Sequence, residues 1–168
     1  RLSLRGILED EGHTVFEAGS EKRPQDFEVI PLAEADKLRQ RFGTAVEAAL
    51  GGALQHWATQ GPWQQLALVI LLDQFTRNLF RGTARSFAGD PQALQLALDG
   101  IALGHDRHAD LPAVARIFCY LPLEHAEDAA LQTHSVIAFE DLAAQAQEAG
   151  DAQVSHLLAG ALDYAQRH

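Results

Sequence analysis

From Leu32 onward the apolar positions recur at spacings of three and four, and short polar or glycine-bearing breaks separate one recurrence from the next. That pattern predicts successive amphipathic helices joined by short turns, and short turns make sequence neighbours antiparallel partners. The first helix spans residues 32–50, with Leu38, Phe42, Ala45, Val46, Ala49 and Leu50 on one stripe. Gly51-Gly52 ends it, and a short helix over 53–59 carries Leu54 and Trp57 before Gly61-Pro62 breaks the chain again. Residues 63–80 form the central helix, in which Leu66–Leu72 is apolar on every face and therefore buried. Asp90-Pro91 is read as an N-cap acceptor followed by proline at the first helical position. It opens a helix to about Gly104 that buries Leu94, Leu98 and Ile101. Pro112 opens another through Ile117, Phe118 and Tyr120, which Pro122 kinks or ends. A long helix over 124–147 places Leu131, Val136, Phe139 and Leu142 toward the core. Gly150-Asp151 then separates it from a final helix over 152–167 that buries Val154, Leu157, Leu158 and Leu162.

Residues 1–31 follow a different pattern. Leu4, Ile7 and Leu8 make a short amphipathic helix stopped at Gly12, and Thr14-Val15-Phe16 is strand-like. This piece resembles the first helix and second strand of a response-regulator receiver domain, but it holds no phosphoacceptor aspartate or acidic pair and has no strands to pair with. It is read as an arm, joined by a charged, proline-bearing linker over 19–31 with Phe27, Val29 and Ile30 as an apolar anchor. The expected organisation is an arm and linker over 1–31 and one all-α domain over 32–168. No period is visible in the letters, so pattern alone supports a helical bundle or a short solenoid.

Composition narrows the partners. With 13 basic against 23 acidic residues the formal charge is −10, which argues against nucleic acid and against an anionic membrane as the general partner. The longest apolar run is too short to span a bilayer and ends in Asp73, and no signal peptide opens the sequence, so a cytoplasmic protein is expected. The single cysteine, Cys119, sits in an apolar context and is read as a core residue in a reducing compartment.

The candidate chemistry is concentrated where the central helix turns polar. Asp73, Arg77 and Arg81 stand at i, i+4 and i+8, and Gln74, Asn78 and Arg81 at i, i+4 and i+7, so two tracks run side by side along one flank. Arg85 follows in the next loop. Guanidinium groups suit bidentate recognition of carboxylate or phosphate. A second cluster supplies His125, Glu127 and Asp128; His125 and Asp128, three apart, are expected to share a helical face, with Gln132 four residues further on. One reading is structural: Asp73 and Asp128 neutralise Arg77 and Arg81 in a buried network completed by Asn78 and His125. A second is a binding or scaffold module whose cleft accepts a carboxylate-bearing peptide or a small anion. Its ligand-binding residues are Asp73, Gln74, Arg77, Asn78, Arg81, His125, Glu127 and Asp128. A third is an acid/base or hydrolytic enzyme with His125 as the catalytic base and Arg77 and Arg81 as the anion clamp. The arm of residues 1–31 offers a route to a homodimer.

No metal and no cofactor is expected. His125 and His134 are nine residues apart, which turns their side chains about 180° from each other on a straight helix, and nearby arginines repel a cation. His105 and His108, in an aspartate-bearing turn, are read as exposed titrating groups. There is no phosphate-cradling glycine loop and no nucleophile elbow, and nothing local supplies a base for Ser86.

Two stretches carry a family resemblance: LLDQFTRNLFRGTARSFAGDPQAL at 71–94 and FCYLPLEHAEDAALQTHSVIAFEDL at 118–142. Together they resemble DUF924, a bacterial family of uncharacterised proteins whose members show DQFPRN-x-FRGTA-x-xFA and a later YLP-x-x-HSED. The likeness runs from about Phe42 to Arg167. Thr76 stands where the family usually has proline, and Ala126 where it usually has serine. The resemblance implies an all-α, tetratricopeptide-like arrangement of helical pairs, and it supplies fold more than function.

Overall fold

In the computed structural model, which describes residues 35–150 and 152–167, helix α1 (Ala35–Leu50) forms where the stripe demands it. Phe42, Ala45, Val46 and Ala49 are all buried along it. A 3₁₀ turn, Gln55–Thr59, then drives Trp57 fully into the interior beside Leu54. Pro62 occupies the first turn of α2 (Pro62–Ile70), where its missing N–H leaves no acceptor unmet. Residues 66–69 of α2 are all buried, as the uninterrupted apolar run requires, and Gln65 is buried with them.

The central helix is not continuous. Leu71–Phe75 forms a π-turn, and regular helix resumes as α3 (Thr76–Leu79). Phe42, Val46, Trp57, Leu68, Leu71, Leu72 and Leu79 close over this segment as one core, with the Phe42 and Phe75 rings edge to face at 4.7 Å. After a 3₁₀ turn at Ala84–Phe87, α4 (Asp90–Ala102) begins one residue earlier than the capping reading places it, so Asp90 lies inside the first turn. Its buried positions are Ala93, Leu96, Ala97 and Gly100, while Leu94, Leu98 and Ile101 stay half-buried at its flanks. Buried Gln65 donates from Nε2 to the Leu96 carbonyl at 3.1 Å, fastening α2 to α4.

The chain divides into two compact units, Arg1–Leu96 and Ala97–His168. In the second, a short 3₁₀ turn at His105–Arg107 leads into α5 (Ala113–Glu124), followed by α6 (Ala129–Glu148) and α7 (Ala152–Arg167). Pro122 lies in the last turn of α5, which ends soon after it. The long helix then starts at Ala129, several residues later than its apolar stripe suggests. Asp128 is its N-cap, accepting the N–H groups of Ala130 at 2.8 Å and Leu131 at 3.1 Å. Helix α6 packs against both α5 and α7 around Ile117, Tyr120, Phe139, Leu142 and Leu158. All regular structure among the described residues is helical. None of these helices is long and apolar enough to cross a membrane. The expected arm and linker lie outside the described residues.

Candidate functional site

A π-turn widens a helix by one residue, changes the direction in which the following side chains leave the axis, and is often found at functional positions. Here it sorts the polar residues of the central segment into an inner and an outer track. On the inner track Asp73 is 1% exposed. Its Oδ2 accepts from Gln74 Nε2 at 2.5 Å and its Oδ1 from Arg77 Nε at 3.3 Å. Arg77 then reaches across the following loop, donating from Nη2 to Asp90 Oδ2 at 3.0 Å, and its guanidinium lies 5.2 Å from the centre of the Phe87 ring. A carboxylate removed from water needs such compensation. Arg77 is therefore shared between two acids.

Two features fix the loop against the π-turn. Thr76, fully buried, donates its hydroxyl to the Leu72 carbonyl at 2.6 Å and to the Asp73 carbonyl at 3.1 Å. Gly89 then approaches so closely that a Cβ there would overlap the Leu72 carbonyl group. Only glycine allows that approach.

The outer track is open to solvent. Asn78 donates from Nδ2 to the Gln74 carbonyl at 2.8 Å and accepts from Arg81 Nη2 at 3.3 Å. Arg81 is exposed and forms no ion pair among the described residues. Arg85 lies over the Phe80 ring at 4.2 Å and meets Glu47 of α1 through one nitrogen, Nη2, at 2.6 Å and 2.5 Å from the two carboxylate oxygens.

The remaining predicted residues belong to the second unit. His125 ends α5, its backbone N–H bonded to the Leu121 carbonyl at 2.9 Å, and it is half-buried. Glu127 is exposed. His125 and Asp128 do not share a helical face as the periodicity suggests, because a bend separates α5 from α6 and Asp128 is spent on capping. Gln132 turns back to donate to the Ala126 carbonyl at 2.9 Å. Arg77 takes its acids from Asp73 and Asp90, so Asp90 fills the role the sequence assigned in part to Asp128. His134 and His108 are exposed and His105 is half-buried. Among the described residues no group of three or more His, Cys, Asp or Glu side chains is placed to hold a metal ion.

The periodicity missed a buried acid. Asp106, 3% exposed, accepts the Tyr120 hydroxyl at 2.8 Å through Oδ2, and Arg116 on the same helix as Tyr120 binds Gln145 Oε1 at 3.0 Å. A buried tyrosine seeks a partner for its hydroxyl, but nothing in the sequence names which one. Burial, followed by the Asp106 hydrogen bond and charge, pushes the Tyr120 hydroxyl up to about 12. Burial and the same acid push the neighbouring Cys119 thiol up to about 12, opposed by Arg116.

Both groups hold their protons more tightly folded than unfolded, from ordinary values of 10.0 and 9.0. The stability they contribute is complete below those values and is lost as pH rises through them toward 12. Each group accounts for a slope of at most about 1.4 kcal/mol per pH unit. Urea midpoints measured from pH 8 upward should therefore fall in the alkaline range. Tyr120→Phe should be less stable at pH 8 by about 2 kcal/mol, and its decline should be shallower.

A family profile described as a bacterial protein of unknown function (DUF924) matches residues 16–168, reaching further toward the N-terminus than the two motifs do. A solved structure of a protein of unknown function from Agrobacterium tumefaciens is similar over 98% of this chain and 81% of its own, at 30% identity and a TM-score of 0.60. No curated protein matches the chain.

Proposed function

The chain belongs to the DUF924 family of bacterial proteins, and from that premise we propose that its first unit is a binding module in which Arg81 receives a carboxylate from a peptide or small metabolite. The observation that carries this reading is the division of labour among the arginines. Arg77 and Arg85 each have a carboxylate, whereas Arg81 stands exposed and, among the described residues, makes one long side-chain bond, to Asn78. An exposed guanidinium beside amide side chains offers a charge-assisted fork with neighbouring donors. The inner network gives that fork a fixed base: Asp73 and Asp90 hold Arg77, Gln74 turns its amide in to Asp73, and Asn78 and Arg81 stay exposed beside them. In a chain of net charge −10, an exposed arginine with no acid partner among the described residues is a local point of attraction for an anion.

The test is titration calorimetry with succinate, acetate and pooled peptides bearing free C-termini, at low and at physiological salt. Binding should weaken with salt and fall about tenfold or more in Arg81→Ala, the loss of a hydrogen bond to a charged group. An Arg81→Ala protein with an unchanged helical spectrum and full affinity would refute the assignment.

A further inference from the structure

We infer that Glu47 occupies the second arm of this same site as an internal competitor, and that the ligand which displaces it is a small dianion. This rests on the proposed role of Arg81. Arg85 follows Arg81 by four residues, in the 3₁₀ turn at Ala84–Phe87, and its guanidinium lies over the Phe80 ring at 4.2 Å with half of the side chain exposed. Glu47 reaches it from α1 in a poor match of shapes. Both carboxylate oxygens crowd one nitrogen, Nη2, instead of spreading over two parallel N–H groups as a well-fitted carboxylate does. Nε and Nη1 make no other bond among the described residues.

The pair is also exposed, with side chains at 50% and 52%, where an ion pair has little net worth. Held weakly and with its Nε and Nη1 donors idle among the described residues, Arg85 can exchange Glu47 for a ligand group that takes the fork edge. Arg81 then binds the ligand's other charge. Two guanidiniums, one unpaired and one provisionally paired, match a ligand with two negative charges better than a ligand with one. Glu47 shields Arg85 while the site is empty, so that a lone carboxylate finds only Arg81.

The experiment compares succinate with acetate at matched ionic strength, by calorimetry, in the wild type and in Glu47→Gln, Arg85→Ala, Arg85→Lys and Arg81→Ala. Glu47→Gln keeps the shape and removes the competitor, so succinate should bind about two- to fivefold tighter, and should gain more than acetate, which can use only one arginine at a time. Arg85→Ala should erase the preference for succinate, and Arg85→Lys should restore only part of it, because the ammonium has no fork. Unchanged or weaker succinate binding in Glu47→Gln overturns the competitor. If Arg81→Ala still abolishes binding in that case, the single-arginine site stands and only the role of Glu47 is lost. If neither variant changes affinity, both readings fall.

Discussion

Gly89→Ala is expected to destabilise the first unit by about 3 kcal/mol, far more than adding one methyl group would suggest. The residue is buried, and its Cβ would overlap the carbonyl oxygen and carbon of Leu72 and press on its Cα at 3.0 Å. These are backbone atoms inside the π-turn, held by the Thr76 hydroxyl, so no side-chain rotation relieves the overlap. Relief requires the start of α4 to withdraw, and that carries Asp90 away from Arg77. Gly43→Ala gives the opposite control: it lies inside α1, where a Cβ meets only Arg39 Cγ at 3.8 Å, and it should stabilise the fold by about 0.5–1 kcal/mol. Urea unfolding of both variants measures the contrast. Equal midpoints for Gly89→Ala and the wild type would mean that the loop does not rest on the π-turn.

The helices were legible because burial of one face leaves a period in the letters, and Phe42, Val46, Trp57, Phe139 and Leu142 are buried where that period places them. The π-turn was not, because residues 66–72 are apolar on all sides and an extra residue in such a run shifts no visible stripe. In α4 the pattern favoured the large residues Leu94 and Leu98. The buried face instead takes the small residues Ala93, Ala97 and Gly100 together with Leu96, and Leu94 and Leu98 stay half-buried at the edges. The start of α6 was placed too early because the letters after Pro122 remain helix-compatible; Asp128, a strong cap former, was the better marker.

At the site, Asp73–Arg77 was visible as an i, i+4 pair. Asp90 was assigned to capping, since a carboxylate beside Pro91 satisfies the local rule and its distant arginine partner leaves no local trace. The Asp106–Tyr120 bond was hidden for the same reason: it joins a turn to a helix across 14 positions. Local rules find what a residue does for its own helix, and long-range pairing has to be seen.

Asp73→Ala should cost about 3 kcal/mol, the second large effect, because it removes the buried carboxylate that Arg77 and Gln74 bond and leaves the π-turn without that anchor. The value sits at the low end for a broken buried pair, since Arg77 keeps Asp90 and is 21% exposed. Replacing both partners separates geometry from charge. Asp73→Leu with Arg77→Met removes the charged pair together and fills the space with apolar atoms, which is often neutral or stabilising. Asp90, at 30% exposure, then turns to water. Unfolding of the four forms completes the cycle, with the double variant expected to recover most of the single-variant loss. In the function proposed above the inner track serves only to aim the outer one, so that double variant should also keep succinate binding through Arg81. If it regains stability and still fails to bind, Arg77 touches the ligand itself and the division between the two tracks is wrong.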